Sequence, residues 1–146
     1  MQKIQNTMLF SPTDLTRFME SPFASWMSRL YEEDRSKVTP DTDSAEKKLI
    51  AESGNQHEQA YLRKLRSDRR DVCEIAKTDV GKAKQQTGEA LRSGREVIYQ
   101  ACLELDGFRG YADFLTNVSG PTSPTYEVVE GVTETAAQEK VVGGIF

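Results

Sequence analysis

The segment GREVIYQACLELDGFRGYADFLT, residues 94–116, constrains the fold more than any other part of the chain. Glu96 to Leu105 carries apolar residues on both faces, as a strand inside a sheet does. Asp106-Gly107 then supplies the residue types that a two-residue hairpin turn demands. Phe108 to Thr116 returns as the hairpin partner. Everything before this segment is mainly helical in period, so the chain reads as helices first and an antiparallel sheet after, with one more helix between strands. That order defines an α+β fold.

The helical half announces its own starts. Ser11-Pro12-Thr13-Asp14 offers an N-cap serine, a proline whose missing N–H costs nothing in a first turn, and an acid at the third helical position. Leu15, Phe18 and Met19 follow at helical spacing. Ser21-Pro22 repeats the signal, and Phe23, Trp26, Met27, Leu30 and Tyr31 form an apolar stripe that is expected to be core. Residues 34–44, with Pro40, read as an exposed connection.

A third helix is predicted over 44–67, with Ile50, His57, Tyr61 and Leu65 near one face. Gly54 inside it costs about 1 kcal/mol of helix propensity, which predicts a neighbour that requires a small side chain there. Val72 to Ile75 is a short strand. Val80 to Ser93 is a polar helix closed by Gly94, and Tyr126 to Glu130 is a third strand after a loop over 119–125. From residue 131 the pattern weakens.

Composition excludes several classes. The chain has 146 residues, 29% of them charged, with a net charge of −4. No apolar stretch approaches the roughly 18–20 residues of a membrane span, and MQKIQNTMLF lacks the charged-then-apolar order of a signal peptide. Two cysteines, Cys73 and Cys102, support neither a disulfide scaffold nor a four-thiolate metal site. A cytoplasmic protein with no membrane partner is expected. Arg63, Lys64, Arg66, Arg69 and Arg70 crowd into eight positions opposed only by Asp68. Such a run is either a phosphate-facing surface or the solvated face of a helix.

Three residues stand out as chemistry. His57 is the single histidine and precedes Glu58 in GNQHEQAYL. Asp113 lies inside the apolar YADFL stretch, where an unpaired carboxylate is costly. Glu130 ends the following strand. Acids on neighbouring strands can converge on a hard divalent cation, and an added imidazole shifts the preference somewhat toward Mn²⁺.

The order LFSPTDLTRFMESPFASWMSRLYEE, then IAESGNQHEQAYLRKLRSDRRDVCEI, then SGREVIYQACLELDGFRGYADFL, then YEVV resembles the RecB-like nuclease family of the PD-(D/E)XK superfamily. The resemblance is to the N-terminal nuclease module of predicted bacterial members and covers about residues 9–130. It implies an incomplete nuclease domain over 1–130, with a restriction-endonuclease-like core, and a divergent tail over 131–146. It makes His57, in the G-x-x-H-E pattern, and Asp113, in G-x-A-D-F-L, the site residues. With Glu130 they would bind one or two Mg²⁺ or Mn²⁺ ions for phosphodiester hydrolysis of DNA, at single strands or ends. A helicase partner and a role in DNA repair are implied by the same likeness.

The family's next motif is acid-x-Lys, but here the sequence reads Glu130-Gly131-Val132. Val132 replaces the lysine, and the family's last core helix with its Q-x-x-x-Y motif does not follow. The implied protein is therefore a crippled or inactive nuclease, with part of its core missing and one sheet face partly bare. Relatives with an iron–sulfur cluster use four cysteines, and this chain has too few, so no cluster is expected. The alternative reading is a non-catalytic nucleic-acid-binding or interaction module that uses the basic run 63–70. The sequence leaves the oligomeric state open.

Overall fold

The computed structural model describes residues 1–4, 6–40, 45–119 and 124–129, and within 45–119 the side chains of all but residues 46 and 47. The chain divides into two compact units: Met1–Asp43 with Glu104–Gly110, and Ser44–Leu103 with the chain from Tyr111 onward.

In the first unit, β1 (Gln2–Ile4) and β2 (Thr7–Leu9) pair antiparallel, from Gln2 opposite Leu9 to Ile4 opposite Thr7. The sequence carries no signal of this hairpin, because strands of three residues are too short to display a period of two. Helix α1 (Pro12–Glu20) starts on a capping box. The Ser11 N–H donates to Asp14 Oδ2 at 2.8 Å, and the Asp14 N–H donates to Ser11 Oγ at 3.3 Å. Ser21 ends α1 by donating its N–H to the Arg17 carbonyl, and its hydroxyl accepts the Ala24 N–H to open α2 (Pro22–Glu33). One serine thus serves both helices.

The apolar stripe of these two helices is not core. Phe23 and Trp26 are 69% and 56% exposed, and Phe18 and Met19 are exposed as well. Periodicity establishes that residues share a face; it carries no information on whether anything covers that face.

The second unit holds α3 (Ala45–Ser67), β3 (Val72–Glu74), α4 (Val80–Arg92), most of β4 (Val97–Leu105) and β5 (Phe108–Asn117), and β6 (Tyr126–Val129). The sheet is mixed, in the order β3-β4-β5-β6. β3 runs parallel to β4, with Val72 opposite Val97, and β5 runs antiparallel to β6, with Phe114 opposite Val129. Asp106 and Gly107 both take positive φ, 48° and 81°, as the expected tight turn requires. The mixed sheet with its helices is an α+β architecture.

Among the described residues each sheet face carries a helix. Leu62 and Leu65 of α3 pack with Val97 and Phe114, while Ala83 and Ala90 of α4 pack with Ile75, Ile98, Ala101 and Leu115. Full burial of side chains such as Phe114 or Leu62 contributes about 1.5–3 kcal/mol each.

Both helices end in the same motif. The Arg70 N–H reaches the Leu65 carbonyl and the Arg69 N–H that of Arg66; Arg95 and Gly94 do the same to Ala90 and Leu91. The left-handed residue is Gly94 in α4 (φ 66°) and Arg69 in α3 (φ 57°). Gly54, by contrast, borders open space, so no close neighbour explains it.

Candidate cation site

Residues 58, 61, 62 and 65 follow the i, i+3, i+4, i+7 spacing of one helix face. Tyr61 is half-buried and Leu62 and Leu65 are buried, so Glu58 is the residue one turn earlier on the inward side. The ring of Tyr61 meets Phe114 edge-on at 4.9 Å, and Phe114 also meets Tyr99 at 5.0 Å. Such contacts are worth about 0.5–1.5 kcal/mol each beyond the area they bury. They fix this part of α3 against β4 and β5. Tyr61 and Leu65 of the predicted face turn inward, whereas its other two members, Ile50 and His57, are exposed. Consecutive helical residues project about 100° apart, so His57 and Glu58 cannot address the same point.

Strand β4 contributes through a break in its alternation. Gln100 has φ 60° in the strand interior, a conformation that costs a non-glycine residue about 1–2 kcal/mol. After this residue the phase of the strand shifts. Ile98 and Ala101, three apart, both pack on the α4 side, and Tyr99 and Gln100, consecutive, both bond to α3. A bulge-like distortion of this kind re-aims a side chain.

The result is a polar cluster. Gln59 Nε2 donates to the Tyr99 hydroxyl at 3.0 Å. Gln100 Nε2 donates to Glu58 Oε1 and, at 3.3 Å, to Asp113 Oδ1. One amide nitrogen thus bridges two carboxylates from α3 and β5. Gln100 is only 5% exposed, and its Oε1 accepts no hydrogen bond from a described residue. Burial and then the charge of Glu58 raise the Asp113 carboxyl above its ordinary value, and the Gln100 hydrogen bond and the Lys77 charge only partly offset them. Burial, followed by Glu58, likewise raises the Tyr99 phenol. Lys77 lies nearby with its ammonium 5.3 Å from the centre of the Tyr111 ring.

Of the residues anticipated for the site, Asp113 sits in this cluster and His57 lies on the exposed side of α3. Glu130 and Val132 lie outside the described residues. Among the described residues no group of three or more His, Cys, Asp or Glu side chains could hold a metal ion. The donor set is instead two carboxylates and an amide oxygen without a described partner. All-oxygen donors of this kind fit Mg²⁺, Mn²⁺ or Ca²⁺ and not a thiolate-seeking ion.

Glu58 and Gln100 were missed as site residues. The signal for Gln100 was available, since a lone amide inside VIYQACL is as conspicuous as the acid inside YADFL. Glu58 offered none beyond its place beside His57.

The basic run is divided by the fold. Arg66 pairs with Glu74 and Arg70 with Glu96, whereas Arg63, Lys64 and Arg69 are exposed and make no ion pair with a described residue.

The chain matches no protein-family profile, no curated protein and no solved structure. Among the described residues no helix is long and apolar enough to cross a membrane.

Proposed function

We propose that this chain is a divalent-cation-dependent nuclease domain of RecB-like, PD-(D/E)XK type whose catalytic step is weakened or lost. The observation that carries the reading is the convergence of Glu58 and Asp113, from a helix and a strand, on one buried amide. Two carboxylates held together in a half-buried place repel each other, and a hard cation between them relieves that repulsion. When bound, Mg²⁺ or Mn²⁺ supplies Lewis acidity toward a phosphodiester. Glu58 and Asp113 would hold the cation, and the resemblance of its motif assigns Glu130 the same role. Lys77 and the exposed cations Arg63, Lys64 and Arg69 attract the DNA backbone. Val132 has no proton and no charge to orient an attacking water, which is why the reaction is slow or absent. By the same resemblance the setting is cytoplasmic DNA repair, with a helicase as partner.

Cleavage of end-labelled single- and double-stranded DNA with Mn²⁺ tests this reading, with Asp113→Ala and Val132→Lys beside the parent chain. We expect little or no cleavage by the parent, a gain in Val132→Lys, and silence in Asp113→Ala. A parent and an Asp113→Ala variant that both bind DNA without any divalent cation, with no gain in Val132→Lys, would favour the second reading. That reading is a binding module built on the basic run, and it is supported by Arg63, Lys64 and Arg69, which are exposed and make no ion pair with a described residue.

A further inference from the structure

Gln100 occupies a position that the cation reading does not yet explain. Its amide nitrogen fills the space between Glu58 and Asp113, the place where positive charge is wanted. Its oxygen, in a residue 5% exposed, accepts no hydrogen bond from a described residue. Its backbone is held in the left-handed region to bring the side chain there.

We propose that the Gln100 amide is a rotating ligand. Without a cation it presents Nε2 to the two carboxylates, and on cation entry it turns to present Oε1 as a third oxygen donor. The inference rests on the reading of Glu58 and Asp113 as a cation site and adds to it the residue that sets its occupancy and selectivity.

In the cation-free orientation the amide nitrogen is paired with the carboxylates and the oxygen is without a described partner. Rotation together with cation entry pairs the oxygen with the ion and leaves the nitrogen as the end without a described partner, so one end is left over in either state. The occupant of the space between the carboxylates therefore decides the orientation. Two carboxylates attract N–H and repel a carbonyl oxygen, whereas a bound cation reverses both preferences. The amide nitrogen is thus a placeholder that softens repulsion in the empty site, and the amide oxygen is a neutral donor in the filled one. A neutral oxygen adds no third negative charge, which suits a hard ion that retains waters for a phosphate to displace.

The test is Mn²⁺ binding to the whole chain, read as free ion by electron paramagnetic resonance, for the parent, Gln100→Met, Gln100→Glu and Asp113→Asn. Methionine keeps the length and removes both amide atoms. We expect Gln100→Met to weaken Mn²⁺ binding about tenfold, by analogy with loss of a group that supports a metal site. Gln100→Glu should bind at least as tightly as the parent. Equal or tighter binding by Gln100→Met would mean that the amide only competes with the ion, and the proposal would be wrong. No binding by the parent, or undiminished binding by Asp113→Asn, would instead remove the cation site itself and this proposal with it.

Should Gln100→Met not fold, the parent chain still decides the matter. With Mg²⁺, the Gln100 side-chain NH₂ resonances must move away from their hydrogen-bonded positions at the same concentration that fills the site. Resonances that stay in place while the ion binds would overturn the rotation.

Discussion

The Asp113 carboxylate shares one amide donor with Glu58, and both acids face each other in a half-buried place. Like charges held together in this way cost the fold stability, a cost that the proposed cation would relieve. Asp113→Asn should remove the like charge, keep an acceptor for Gln100 Nε2, and stabilise the cation-free chain by roughly 0.5–2 kcal/mol at neutral pH. Urea unfolding without divalent ions checks this, and a loss of stability would show that the pair is not repulsive. The same residues mark the limit of reading from sequence. Asp113 was legible because an acid inside YADFL demands an explanation. The direction of Gln100 was not legible, because strict alternation assigns it to the same face as Ile98 and Cys102. Only a left-handed residue in mid-strand, at a position with no glycine or asparagine to signal it, turns Gln100 toward α3.

Helix ends were the most legible elements and also the most testable. The serine–proline starts of α1 and α2 fall where the sequence places them, because each orphan N–H needs an acceptor and few residue types supply one. Burial alone would raise the Asp14 carboxyl, but hydrogen bonds from the N-terminal ammonium and from Ser11 lower it overall. A lowered carboxyl stabilises the fold above its unfolded value of 3.8 and loses that contribution as the pH falls through its folded value. Asp14→Ala should therefore cost about 1 kcal/mol near neutral pH and progressively less as the pH falls below 3.8. Denaturant titrations near neutral pH and below that value check the sign. At the other end, α3 and α4 close with the same motif but different residues. Arg69→Gly should stabilise the chain by about 0.5–1 kcal/mol, and Gly94→Ala should destabilise it by about 1 kcal/mol or more. Thermal melts of the pair check the shared mechanism, since equal effects of one sign would contradict it. β1 and β2 had no comparable signature, being too short for a pattern and free of a turn pair such as Asp106-Gly107.

At the scale of the whole molecule the charge is negative, −4, so any attraction to nucleic acid has to be local. The sequence showed five cations in one run but not which of them were already neutralised, since Glu74 and Glu96 are brought to Arg66 and Arg70 only by folding. Arg63, Lys64 and Arg69 make no ion pair with a described residue, and the proposed phosphate contacts rest on them. Each phosphate contact contributes about 0.9 to the slope of log affinity against log salt on duplex DNA. Replacing Arg63, Lys64 and Arg69 together with glutamine should therefore reduce that slope by about 2–3. Replacing Arg66 and Arg70 should change it by less than half as much. Because these two pairs are exposed, their loss should cost under about 1 kcal/mol each. Fluorescence anisotropy of labelled DNA across a salt series separates the two sets. Equal reductions would mean that the ion pairs with Glu74 and Glu96 open on binding, and the nucleic-acid surface would then extend along the sheet edge toward β3.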